Sequence, residues 1–340
     1  MRYALRYDMR APAFGAPAAE LYAASIEQVA WADGLGFATV YLAEHHGADD
    51  GYCPAPMIQA SAMMAVSERI RVHLSALLAV LHDPIRLAED LAVLDLISRG
   101  RVDVTLGLGY RPHEYRMFGV EKRRRVAILE EAVRILEAAW TGAPFEHRGE
   151  RVVVRPRPYQ RPRPPLYIGG STEASAHRAA RLGDGYLPAM PGLWDVYAAE
   201  CARLGRPAGP PPPAKAPLFL HVTDDPDRDW EVVGPHVLYT ARSNAEWAKE
   251  RGVGATPYEG AVTLDDLRAH ARFEVLTPDD CVDHLLALPD DAEVVLQPLM
   301  GGLPVAVGWS SLRLFESKVL PRLTEAGRGP SAPTRSEGRA

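Results

Sequence analysis

Only three cysteines, Cys53, Cys201 and Cys281, occur in the 340 residues of this chain. They are odd in number, far apart and not at metal-ligand spacing, which excludes a disulfide framework and points to a reducing, cytoplasmic setting. Positive charge is not in excess either. The 38 basic residues against 44 acidic ones leave a net charge of −6, so nucleic acid is not expected as the main partner. No apolar run is long enough for a signal peptide or a membrane span, and Met1 to Tyr7 already read as a strand. What is present is an ordinary globular composition, with 47% hydrophobic residues for a core and 24% charged residues for a surface.

Short β-rich runs alternate with helical patterns almost from end to end. Core strands are predicted at Tyr3–Tyr7, Thr39–Ala43, Val72–Ala79, Val102–Leu108, Pro165–Gly169, Gly185–Ala189, Pro217–Val222 and Glu293–Pro298. Helices are predicted over Ala18–Gly34, Asp83–Ile97, Val126–Trp140 and Leu303–Leu323. In the second of these, Ile85, Leu87, Leu91, Leu94 and Ile97 fall mostly on one stripe, and Gly100 supplies the stop. Alternation of this kind implies parallel strands joined by crossover helices. Eight such units fit a closed (β/α)8 TIM barrel better than an open α/β sheet. One domain is expected over residues 1–326, followed by a tail, residues 327–340, whose Gly, Pro, Ser and charges read as disordered.

Two stretches interrupt the alternation. Phe145–Val154 reads as a hairpin outside the barrel with Gly149 in its turn, and the prolines of Arg155–Pro165 make an extended connector. Between residues 190 and 274 the pattern degrades into an insertion, with a proline-rich piece at Gly205–Pro213. An insertion placed near strand C-termini often forms a lid or substrate wall.

Three constellations carry candidate chemistry. In Tyr41–Tyr52 an apolar strand ends in Glu44, His45 and His46 and then a polar, glycine-bearing loop. Adjacent strand residues point to opposite faces, so the two imidazoles do not converge on one metal, and acid/base or hydrogen-bonding roles are favoured. His45 is the candidate acid or base, and Glu44 the group that orients or charge-stabilises an imidazole or hydrogen-bonds a cofactor; a solvated polar rim is the bland alternative. In the second, Leu166–Glu173, a strand ends in Gly169 and Gly170 and opens into a helix through Ser171 and Thr172. That is a phosphate cradle, or equally a capped helix. The third, Gly107-Leu-Gly109, lacks the last glycine of a dinucleotide fingerprint, and Pro112 interrupts the helix such a fingerprint needs. Its glycines instead suit a flat ligand lying against a strand end.

Taken in order, these landmarks resemble the bacterial luciferase-like family of flavin-dependent enzymes. The series runs Ala43-Glu-His-His46, Leu81-His-Asp-Pro-Ile-Arg-Leu-Ala-Glu-Asp90, Leu94–Val102, Gly107-Leu-Gly109, Tyr167–Ser171 and Ala180–Tyr186. The resemblance covers most of residues 1–190 and resumes at Phe273–Leu323. It implies a (β/α)8 barrel with a large insertion and FMN bound at the C-terminal face. The isoalloxazine would lie near Ser75, Ala76, Gly107 and Gly109, and the phosphate at Gly169, Gly170 and Ser171. Many members have a non-proline cis peptide in strand three, which matches Ser75–Ala76 here. In bacterial luciferase the first histidine of the matching triplet is catalytic, which places that role on His45. Where luciferase has an arginine reaching the phosphate this chain has Leu108, with Arg111 or Arg178 as replacements.

The resemblance implies a two-component monooxygenase. Reduced FMN would arrive from a separate flavin reductase, react with dioxygen to a flavin hydroperoxide and oxygenate a small organic substrate. Relatives commonly form homodimers. The alternatives are a deazaflavin-dependent oxidoreductase doing hydride transfer, a noncatalytic flavin-binding barrel and, last, a metal hydrolase.

Overall fold

In the computed structural model, residues 1–209, 211–213, 217–251, 263–270 and 272–330 are described. Short apolar runs become strands, and longer runs with helical spacing become the helices between them. The first half holds β1 (Arg2–Tyr7), α1 (Ala18–Leu35), β2 (Thr39–Leu42), α2 (Pro56–Ala65), β3 (Arg71–Leu77) and α3 (Pro84–Ser98). Next come β4 (Val102–Leu106), α4 (Pro112–Met117), α5 (Arg125–Thr141), β5 (Phe145–His147), β6 (Glu150–Val152) and β7 (Leu166–Gly170). They are followed by α6 (Glu173–Leu182), β8 (Gly185–Pro188), α7 (Leu193–Arg203), β9 (Phe219–Val222) and α8 (Pro226–Arg251). The last are α9 (Leu264–Ala269), β10 (Phe273–Leu276), α10 (Pro278–Leu286), β11 (Glu293–Leu296), α11 (Val305–Leu314) and α12 (Leu320–Glu325), with a π-helical turn at Phe315–Val319 before α12.

The residues cluster into two compact units. The first takes Met1–Tyr41, Ala48–Cys53 and the described part of Pro213–Thr334. In it β1 pairs in parallel with β11, Arg2 opposite Glu293 and Leu5 opposite Leu296, and β9 pairs in parallel with β10. Phe219, Val233, Val237, Phe273, Met300 and Leu303 form one of its apolar clusters. Arg10, after β1, is buried between the rings of Tyr52 and Trp247 and ion-paired to Asp50. The tail expected from residue 327 is anchored at its start: Arg328 donates to the carbonyls of Leu285 and Leu288, and its own carbonyl accepts from Tyr3 Oη. Residues 331–340, on which the rest of that expectation falls, lie outside the described residues.

The second unit takes Leu42–Gly47 and the described part of Pro54–Pro212. Its sheet runs β3-β4-β7-β8, all parallel, with Val72 opposite Val102, Val104 opposite Leu166 and Tyr167 opposite Gly185. Buried Leu129, Ala132, Val133, Leu136 and Trp140 give α5 its inward stripe, and Trp140 Nε1 donates 3.0 Å to the Ala88 carbonyl of α3. Crossover helices put every strand's C-terminal end on one side, so the loops after β3, β4 and β7 emerge together.

Several expectations need correction. The strand Phe273–Leu276 was not foreseen, because Glu274 breaks its apolar run. The stretch from Val232, expected to be mixed, is helix α8 as far as Arg251 with Pro235 inside it; residues 252–262 lie outside the described set. Pro112 does not interrupt a helix but opens one: it occupies the first turn of α4, where a missing N–H costs nothing. Arg99 takes the left-handed residue after α3, with Gly100 also at positive φ behind it. The hairpin is present, β5 against β6, turning through Arg148 and Gly149 at φ 50° and 81°.

Candidate active site at the strand ends of the second unit

Glu44 follows β2 as a coil residue and is buried, at 1% exposure. Its backbone N–H donates to the Ala76 carbonyl at 3.1 Å, which brings the carboxylate over the end of β3. Three donors converge on it there. His46 Nε2 and His82 Nε2 lie 2.8 and 2.7 Å from Oε1, and the Leu78 N–H donates to Oε2 at 2.6 Å. Burial alone would raise the pKa of this carboxyl. The bonds from His46, His82 and Leu78 outweigh it and hold the group at about 2. His82 responds in the opposite sense: burial disfavours its charge, and the bond and charge of Glu44 raise its pKa above the ordinary 6.5.

Glu44 therefore does not support His45, as expected from the sequence. The partner of His45 is Glu114, in the first turn of α4, with Nδ1 and Oε1 2.9 Å apart. The same Oε1 accepts the His46 backbone N–H at 3.0 Å, so one carboxylate fixes both the imidazole and the chain that carries it. A carboxylate accepts and does not donate, so this contact places a proton on His45 Nδ1. Glu114 is 1% exposed and its Oε2 has no hydrogen-bond partner. The His45 side chain keeps 12% of its surface exposed, edge-on to Tyr110 at 5.6 Å between ring centroids. His46 is turned away, packed edge-on against Phe118 at 4.6 Å. The two adjacent imidazoles thus bond to different carboxylates, and His46 shares Glu44 with His82.

The predicted cofactor residues fall on three neighbouring strand ends, those of β3, β4 and β7. The Ser75–Ala76 peptide is cis, at the place in β3 where the pairing with β4 shifts register. Gly107 follows β4 with its N–H bonded to the Leu77 carbonyl at 2.8 Å, and a Cβ there would sit 2.9 Å from Ala76 Cβ. Gly109 is at φ 72°, and a Cβ there would lie 3.5 and 3.6 Å from the methyls of Leu78. Tyr115 Oη donates to the Leu108 carbonyl and Lys122 Nζ to that of Tyr110 at 3.1 Å, which pins this loop. Gly169 and Gly170 end β7. A Cβ at Gly170 would run into Ser175, so its glycine serves the close docking of α6 on the strand.

Ser171 leads into α6, which Thr172 and Ser175 close with a capping box. The capped-helix alternative is thereby realised. Of the two arginines offered as replacements at Leu108, Arg111 is committed elsewhere: its Nη1 donates 3.0 Å to the His46 carbonyl and lies 3.7 Å from Glu114. Among the described residues no group of three or more His, Cys, Asp and Glu side chains is placed to hold a metal ion, and no helix is long and apolar enough to cross a membrane.

Residues 9–294 match the family model of luciferase-like monooxygenases. The oxygenase component of the flavin-dependent trigonelline monooxygenase of Acinetobacter baylyi is 26% identical over 190 residues, 54% of this chain and 52% of that protein. The FMNH2-dependent dimethylsulfone monooxygenase of Pseudomonas putida is 29% identical over 176 residues, 49% of this chain and 48% of that one. The chain spans about half the length of these curated relatives. Among solved structures, monooxygenase RslO1 of Streptomyces bottropensis superposes with a TM-score of 0.73 at 26% identity, covering 95% of this chain and 99% of that one.

Proposed function

Because the chain belongs to the luciferase-like monooxygenase family and shares its (β/α)8-type fold, we propose that it is a flavin-dependent monooxygenase using reduced FMN and dioxygen to oxygenate a small organic molecule. The observation that carries this reading is the His45–Glu114 pair standing beside glycine-lined strand ends. The residues present fit the cofactor. Gly107 lets the end of β4 pack directly on Ala76, next to Gly109, where a flat ring would lie, and the start of α6 beyond Gly169, Gly170 and Ser171 suits a phosphate. Two polar atoms of this unit, Glu114 Oε2 and Arg178 Nε, are buried without a hydrogen-bond partner. When bound, reduced FMN supplies the activation of dioxygen for transfer of one oxygen atom.

The protein's own groups do the rest. His45 accepts or returns a proton at Nε2, with Glu114 fixing its tautomer and orientation. Glu44 ties His46, His82 and the Leu78 amide together, so the rim that carries His45 does not shift. Leu78 and Gly109 give an apolar wall that keeps water from the reacting centre. Reduced cofactor would come from a separate flavin reductase.

Anaerobic titration with reduced FMN and with a reduced deazaflavin coenzyme, followed by oxygen, tests this reading. Tight binding of reduced FMN and oxidation slower than that of the free cofactor are expected. Binding of the deazaflavin alone, with no oxygen consumed, would point to hydride transfer and sink the proposal. A homodimer is part of the same reading, because α2 and α3 expose Ile58, Val93, Leu96 and Ile97. Sedimentation equilibrium should give twice the chain mass for the wild type and the chain mass for V93E/I97E; a monomeric wild type would contradict it.

A further inference from the structure

Arg178 lies one helical turn beyond Ser175 on the same face of α6 and is only 7% exposed. A guanidinium buried to that degree is ordinarily paired, because leaving water uncompensated is costly. This one is not: its Nε has no hydrogen-bond partner, and Glu130, the acid whose charge reaches it, is bonded at 3.2 Å to Arg181. Helical side chains lean toward the N-terminus of their helix, so Arg178 leans toward Ser175. Ser175 Oγ is 2.9 Å from Tyr186 Oη, and Tyr186 Oη donates 3.1 Å to the Gly170 carbonyl.

The Arg178 charge acts on the Tyr186 hydroxyl. The positive charge of Arg125, at the start of α5, also acts on Arg178. Burial, and then repulsion from Arg181 and Arg125, lower the pKa of the Arg178 guanidinium against the attraction of Glu130. In the protein alone, therefore, the first turns of α6 hold a buried cation without a hydrogen-bond partner at Nε, within reach of a second arginine's charge.

We propose that Arg178 is the counter-ion of the cofactor's terminal phosphate, completing the cradle of Gly169, Gly170, Ser171 and the α6 N-terminus, and that it selects a phosphomonoester over a phosphodiester. The proposal rests on the flavin reading above. A phosphomonoester carries nearly two negative charges, which match Arg178 and Arg125 together. A diester carries only one. Arginine also bonds phosphate through two parallel N–H groups, which a lysine cannot reproduce.

The test is equilibrium binding of oxidised FMN, riboflavin and FAD to wild type, Arg178→Met and Arg178→Lys, read by flavin fluorescence. Wild type is expected to bind FMN at least 10-fold tighter than riboflavin or FAD, and Arg178→Met to erase most of that preference, about 10- to 100-fold, with riboflavin affinity unchanged. Arg178→Lys should recover part of it. Inorganic phosphate should compete with FMN and not with riboflavin on the wild type. Without ligand, Arg178→Met should melt no lower than wild type, since an unpaired buried charge has been removed. An unchanged FMN-to-riboflavin ratio in Arg178→Met, or a markedly lower melting temperature without ligand, would overturn the proposal while leaving the flavin reading standing. A wild type that binds none of the three flavins would fail that reading, and the proposal with it.

Discussion

A His45→Asn variant is expected to fold and bind oxidised FMN like the wild type, and to turn over with reduced FMN and dioxygen about 10²- to 10⁴-fold more slowly. The fold should survive because the His45 side chain is partly exposed at the rim and its backbone is held elsewhere, by Glu114 through the neighbouring amide. The rate should fall because asparagine cannot exchange a proton at the position of Nε2. Glu114→Gln keeps the shape and removes the charge that compensates a protonated imidazole, so its loss in kcat should be smaller, with KM little changed. Two residues acting as one unit are not additive. His45→Asn/Glu114→Gln should therefore be no slower than His45→Asn alone. Steady-state kinetics on the four proteins measures this. Full activity in His45→Asn removes the imidazole from the mechanism, and strictly additive losses would separate Glu114 from it.

Adjacency made half of this pair visible in the sequence. Glu44, His45 and His46 stand together where an apolar strand stops, and the anomaly is local. Their partners are not. Glu114 is 69 residues from His45 and His82 is 38 residues from Glu44, joined only by strand ends meeting in the fold. Glu114 left one readable mark, an acid in the first turn of a helix opened by Pro112, which is hidden once the proline is taken as a break. Strands such as Val102–Leu106 were legible because buried parallel strands are continuous apolar runs. Phe273–Leu276, carrying Glu274, was not. The ten residues of α2, Pro56–Ala65, are nearly all apolar or small and so show no stripe. Gly170 was readable as a glycine with a purpose, but not which purpose: the docking of Ser175 against it is a tertiary contact.

The largest loss of stability is expected at Glu44. Its two oxygens receive three donors in a buried setting, and a glutamine there must turn its NH2 toward at least one of them. Glu44→Gln should cost about 3 kcal/mol, the penalty for stranding a buried donor and breaking a buried charge pair, which lowers the melting temperature by several degrees in a chain of this size. The pH dependence gives the cause away. The carboxyl is held at about 2 against an ordinary 4.5, so its contribution is present above pH 4.5 and disappears as pH falls toward 2. His82 has the opposite sign: its raised pKa adds stability that is full below 6.5 and is lost as pH rises through the raised value. The gap between wild type and Glu44→Gln should then be widest between pH 4.5 and 6.5, close on the acid side and narrow on the alkaline side. Urea unfolding across that range measures it. A gap that stays constant down to pH 3 would mean that the ionised carboxylate is not what holds the donors of His46, His82 and Leu78 in place, and the rim that carries His45 would need another anchor.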